Sequence, residues 1–214
     1  MRVEHVVVTV GLALLAPSAS AQLSTGSTFI ITGEQDTVAV ERFTRTSTAL
    51  IGDLRLVQQP QSLHVHYTVS FRPDGSPTRV EIIDDAPNFF TGTVVFDAKS
   101  MMAVQAEIGA LNDRVRMSPA NTQPAIGTSM ALMEQLVRAT HPAIGDSARI
   151  GVMNIRNGNT SAMTITRTST DSVSIVCDGC MRMGVREEIR VALGKSGDIV
   201  GGTNPSLHWT ITRR

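Results

Sequence analysis

From Phe29 onward the chain alternates apolar and polar residues with a period of two, which predicts strands with one buried and one wet face. The clearest run is His64-Val65-His66-Tyr67-Thr68-Val69-Ser70-Phe71, with Val65, Tyr67, Val69 and Phe71 on one face and both histidines on the other. Pro73-Asp74-Gly75-Ser76 then reads as a turn, and 78–83 as the return strand. Strands are also predicted at 29–31, 38–45, 50–57, 92–97, 101–108 and 114–117, and again at 149–155, 162–167, 172–177, 185–193, 199–201 and 207–213. One helix interrupts them: Ile126, Met130, Met133, Leu136 and Val137 recur at helical spacing, so a helix near 128–140 is expected, capped by Thr128 or Ser129 and ended by His141-Pro142. The fold class is therefore mainly β, an antiparallel meander sheet or curved half-barrel with one helix.

The pattern carries an internal echo. Thr44-Arg45-Thr46-Ser47-Thr48 recurs as Thr166-Arg167-Thr168-Ser169-Thr170, and the same offset lays Tyr67 on Ile189, Val69 on Val191, Phe71 on Leu193 and Gly75 on Gly197. Two repeated halves, 27–118 and 148–213, are the reading this suggests. Chance recurrence in a chain rich in Thr and Ser is the other. No linker separates the halves, so 22–214 is expected to be a single β-rich domain.

Residues 1–21 change the picture of where this domain works. Met1–His5 is short and polar, 6–15 is apolar apart from Thr9 and Gly11, and Ala19-Ser20-Ala21 is a small-x-small cleavage site before Gln22. These are the parts of a secretory signal peptide. The apolar run is too short to span a bilayer, and no later segment is long and apolar enough to span as a helix. A periplasmic or secreted protein is expected. Charge is balanced, with 19 basic and 19 acidic residues, so the footprint of a nucleic-acid binder is missing. Six Phe, Tyr67 and Trp209 are too few for the aromatic girdles of a membrane barrel.

Two cysteines close together, Cys177 and Cys180, are most simply a disulfide in an exported chain. Asp178-Gly179 between them reads as a hairpin turn. A dithiol of redox or metal-binding use and a pair of free thiols are the alternatives, although two thiols cannot complete a four-ligand zinc site.

Among candidates for chemistry, His64-x-His66 is the sharpest. Residues two apart on a strand share a face, so both imidazoles could reach one metal. A turn centred on Asp74-Gly75 brings Asp85 beside His64, and two His with a carboxylate form a usable metal set. The competing reading is a solvated surface, since the opposite face of this strand is the apolar one. Asp84 and Asp85 are adjacent on a strand and point apart, so they cannot easily share a proton. No nucleophile elbow and no phosphate-cradling glycine loop is present, no cofactor is implied, and no catalytic residue is assigned.

The signal peptide, the long meanders, the mid-chain helix and a last hairpin reading Lys195-Ser196-Gly197-Asp198-Ile199-Val200-Gly201-Gly202-Thr203-Asn204-Pro205 together give a recognisable outline. It resembles the lipoprotein-carrier group of exported β proteins, the LolA/LolB type, and bacterial secreted β-rich domains of unknown role. The resemblance implies a curved sheet wrapped partly around the helix, with an apolar concavity suited to acyl chains. It implies partners that are lipid or another envelope protein, and it carries over no site residues. A non-enzymatic binding module is the expectation, and a structural or protein-interaction domain, accessory to an exported enzyme or envelope assembly, is the alternative.

Overall fold

The strand pattern is realised as one continuous sheet. The computed structural model describes residues 26–34, 36–58, 61–85, 92–96, 101–102, 117–118, 122–156, 159–182 and 185–214. The expected signal peptide therefore lies outside the described residues. The first five strands form a meander: β1 (Gly26–Thr32), β2 (Thr37–Arg45), β3 (Ala49–Gln58), β4 (Gln61–Phe71) and β5 (Pro77–Asp84). Next come β6 (Gly92–Phe96), β7 (Met101–Met102), β8 (Met117–Ser118) and β9 (Gln123–Ala125). After α1 (Met130–Thr140), a second meander runs through β10 (Ser147–Asn154), β11 (Thr160–Ser169), β12 (Ser172–Arg182), β13 (Val185–Leu193), β14 (Ile199–Asn204) and β15 (Trp209–Arg213). Of the strands expected over 101–108 and 114–117, only the ends in β7 and β8 fall among the described residues.

The sheet order is β8-β7-β6-β5-β4-β3-β2-β1-β15-β14-β13-β12-β11-β10-β9. Fifteen strands thus join through the β1–β15 pair, in which Phe29 faces Arg213 and Ile31 faces Ile211. All neighbours are antiparallel among the described residues except β9 and β10. The sheet stays open yet curls: Asp84 at the end of β5 pairs with Arg156, just beyond β10, at 2.6 Å. That ion pair ties together two arms that lie far apart in strand order.

One face of the sheet is mostly apolar, with Phe29, Ala39, Leu54, Val65, Tyr67, Val80, Ile165, Ile175 and Val191 all buried. Helix α1 packs against it. Ser129 is the N-cap, accepting from the Leu132 amide at 3.2 Å, and His141 ends the helix in the left-handed region with its N–H on the Val137 carbonyl. Every residue from Met130 to Val137 is buried, Glu134 and Gln135 included. A helix buried on all sides belongs inside a core rather than on a surface, and two polar residues there require partners.

The two meanders repeat local geometry at the spacing seen in the sequence. Gly75 and Gly197 have φ of 79° and 78°. Each N–H bonds the carbonyl three residues back, Arg72 and Gly194 respectively, and those two residues bond forward to Ser76 and Asp198. The strand entering each turn carries a register shift at the same place, before Phe71 in β4 and before Leu193 in β13.

One sequence expectation is corrected. Asp178-Gly179 is not a hairpin turn; β12 runs through both to Arg182. The turn signal is real but expressed as a bulge. Val176 pairs with Glu188 and Met181 with Arg186, so the four residues from Cys177 to Cys180 stand opposite Glu187 alone.

Candidate functional site

Two buried carboxylates fix α1 to the inner face of the sheet. Glu41 on β2 shares its face with Ala39 and Phe43, and is 1% exposed. It accepts from the Tyr67 hydroxyl at 2.5 Å, from Ser129 Oγ at 2.5 Å and from the Ala131 amide at 2.9 Å. The helix N-terminus thus points its free amides and positive dipole end at an acid, a favourable arrangement. Burial pushes the Glu41 carboxyl above its ordinary pKa, and the hydrogen bonds from Ser129, Tyr67 and Ala131 oppose the shift. Burial and the neighbouring Glu41 push the Tyr67 phenol well up, so it stays protonated and donates.

Glu134, one turn into α1, is the second carboxylate. It accepts from the Ile199 amide at 2.9 Å and Arg213 Nη1 at 2.8 Å, with Arg45 Nε at 3.3 Å. Arg45 also donates to Gln135 at 2.5 Å and to the Ala131 carbonyl, while Gln135 donates to the Gly75 carbonyl at 3.1 Å. Arg138 reaches Asp198 in the other glycine turn. Both turns of the repeated pattern therefore touch the one helix, from opposite sides of the β1–β15 seam.

Between the helix and the second meander lies a pocket of about 90 Å³. Met133 of α1, Met163, Ile175 and Ile189 give its apolar lining; Asn154 and Glu187 are half-buried polar residues in the same wall. Cys177 is 5% exposed and faces this pocket. The side chain of Cys180 lies outside the described residues, so the expected Cys177–Cys180 bridge is not described.

The outer face carries the histidine cluster. His64 and His66 project away from the core, as the alternation requires, with rings 4.1 Å apart. Asp85 lies beside His64 as expected: its amide bonds the His64 carbonyl at 3.0 Å and its Oδ2 is 3.1 Å from His64 Nδ1. Asp84, one residue earlier, points inward to Arg156. The member that sequence reasoning did not place is Asp53. It sits on β3 directly across from His66, and its Oδ2 is 2.9 Å from His64 Nε2 and 3.1 Å from His66 Nδ1. Gln58 pairs with Gln61, which sets that register; Pro60, breaking the two alternating runs, was the available signal. Glu41 and Arg45 were legible as partners of Ala39 and Phe43 by parity, whereas Glu134 and Arg213 needed the helix position.

Comparison of sequences finds no matching family model and no matching curated protein. Comparison of folds finds two solved proteins of similar architecture. A DUF1089 family protein from Pseudomonas aeruginosa aligns with a TM-score of 0.55 at 13% identity, over 79% of this chain and 90% of that one. A β-barrel-like protein of the domain of unknown function DUF1849, from Brucella abortus, aligns with a TM-score of 0.54 at 10% identity, over 89% of this chain and 94% of that one. At such identities the likeness is one of fold: the chain shares its β architecture with two domains of unknown function, one of them described as β-barrel-like.

Proposed function

We propose that this is an exported, non-enzymatic β protein that holds a small apolar ligand, such as the end of an acyl chain, in the pocket between α1 and the second meander. The observation that carries the reading is the pocket between α1 and the second meander, lined by Met133, Met163, Ile175 and Ile189. Methionine walls adapt to irregular apolar shapes. The helix is locked in place by Glu41 and Glu134, so the pocket is held on rigid elements rather than on loops. Its size sets the ligand: about 90 Å³ falls well short of the roughly 300–1,000 Å³ of drug-sized sites. A whole lipid does not fit, but the terminal part of one does. The lipoprotein-carrier resemblance points the same way, and residues 1–21 support a periplasmic or secreted setting.

Protein recovered from a bacterial periplasm should start at Gln22 and carry a co-purified lipid in native mass spectra. Filling the pocket with Met163→Trp should abolish that adduct while leaving the thermal melt cooperative. Retention of Met1 on exported protein would refute cleavage after Ala21. A wild-type spectrum free of adducts, together with no binding of a fluorescent fatty-acid probe, would instead favour a structural or interaction domain.

A further inference from the structure

We propose that Asp53, His64 and His66 form a divalent-cation site on the outer face of the first meander, suited to zinc, with Asp85 orienting His64. The ligand atoms of these three residues lie within 4.8 Å of one another. Asp53 Oδ2 is 2.9 Å from His64 Nε2 and 3.1 Å from His66 Nδ1. With zinc bonds of 2.0–2.1 Å, adjacent ligand atoms in a tetrahedral site are about 3.3 Å apart. Each histidine therefore needs to part from Asp53 Oδ2 by only a few tenths of an ångström to admit an ion, and the His64 and His66 nitrogens lie within 4.8 Å of each other.

The second ring nitrogen of His64 strengthens the argument. Nε2 faces the site, while Nδ1 lies 3.1 Å from Asp85 Oδ2. A metal-bound imidazole almost always gives its other N–H to a carboxylate, carbonyl or water, which fixes the ring and its tautomer. A surface ion pair would need only one acid for this ring. Here two acids hold its two nitrogens in line, and only one of them also reaches the second histidine.

The frame is rigid. Asp53 and His66 are register partners on β3 and β4, two of the longest strands, and Asp85 is tied to His64 through its backbone N–H. Arg55 approaches Asp53 through the other carboxylate oxygen, Oδ1, at 3.7 Å, leaving Oδ2 to the histidines. Side-chain exposures of 25% for His64 and 46% for His66 leave a path for the ion and room for a water as fourth ligand. This site lies on the opposite face of the sheet from the apolar pocket and does not depend on that reading.

The test is isothermal titration of the untagged, chelator-stripped protein with zinc chloride alone. One equivalent should bind. His64→Ala and Asp53→Asn should each weaken binding at least tenfold, Asp85→Asn about 10–100-fold as an outer-shell partner, and His208→Ala not at all. Matching thermal melts for the zinc-free variants exclude misfolding as the cause, and His66→Ala, at the most exposed of the three ligands, provides a second route to the same loss. No heat and no zinc retained by the wild type would overturn the proposal, leaving the cluster as ion pairs. Stoichiometric binding that survives in a His64→Ala, His66→Ala double variant would overturn it equally.

Discussion

The ring of Tyr67 lies directly over the backbone of Gly52, its cross-strand partner, and uses the missing side chain to reach Glu41 on the next strand. A Cβ at position 52 would stand 2.1 Å from Tyr67 Cζ, which no relaxation of that buried ring accommodates in place. Gly52→Ala should displace the phenol, and overpacking of this kind costs about 1–3 kcal/mol. Loss of the bond to Glu41 adds to it. Tyr67→Phe keeps the ring and removes only the hydroxyl, so a smaller loss is expected. Urea melts of both variants measure this, and an unchanged midpoint for Gly52→Ala would disprove the close approach.

Glu41 makes the stability depend on pH in a definite direction. Burial raises its pKa in the folded protein. Its contribution to stability is therefore full below the ordinary glutamate value and is lost as pH rises through the raised one. Gln can keep the same partners, since the Tyr67 and Ser129 hydroxyls can accept as well as donate. Glu41→Gln should thus melt with a flatter pH profile than wild type between the acid range and neutrality. Identical profiles would mean that Glu41 does not titrate across that interval.

The two faces of β4 give a sharper contrast. Phe71 and Leu193 are buried at equivalent points of the two meanders, at 8% and 7% exposure, while His66 is on the outside. Phe71→Ala should cost about 3–5 kcal/mol and Leu193→Ala about 2–5 kcal/mol. In zinc-free buffer His66→Ala should be nearly neutral. The reverse order in urea melts would exchange the faces, because a one-residue slip moves every side chain across the sheet.

That contrast also marks what the sequence could tell. Alternation along β4 and β5 placed Val65, Tyr67, Val69 and Phe71 inside, and the Asp74-Gly75 turn brought Asp85 to His64, because both follow from local geometry. Asp53 alternates with Leu54 and Leu56, so the pattern puts it on the polar face, but only the β3–β4 register joins it to His66. Glu41 and Arg45 break the apolar rule on the inner face, and their reason, a buried helix needing acid at its N-terminus and base beside Glu134, is tertiary. Asp178-Gly179 misled because the same pair serves a tight turn and a bulge, and only the pairing of β12 with β13 distinguishes them.

The bulge bears on the cysteines. Cys177 and Cys180 begin and end the four residues that stand opposite one residue of β13, and we propose that the exported protein closes them with a disulfide. So short a loop adds only about 2 kcal/mol or less through chain entropy. Replacing both cysteines with serine should lower stability modestly and leave the protein folded. Thiol labelling under denaturing, non-reducing conditions decides the pairing: full labelling of both residues would rule the bridge out.

The repeated turns can be compared by experiment through their glycines. Gly75 and Gly197 hold the left-handed region, where a Cβ costs about 1–2 kcal/mol. Space does not add to that cost. A Cβ on Gly197 meets nothing within 4 Å, and one on Gly75 meets only Gln135 Nε2 at 3.9 Å, an ordinary contact. Gly75→Ala and Gly197→Ala should therefore destabilise by the same amount, although one turn touches α1 through the Gly75 carbonyl and the other through Asp198. Asn tolerates this conformation better than Ala, so the Asn variants should recover part of the loss at both positions. Equal losses with equal recovery would show that the two turns make the same backbone demand. A neutral Gly197→Ala beside a costly Gly75→Ala would show that the second turn relaxes where the first cannot, and the equivalence of the halves would fail at the place where the sequence suggests it most strongly.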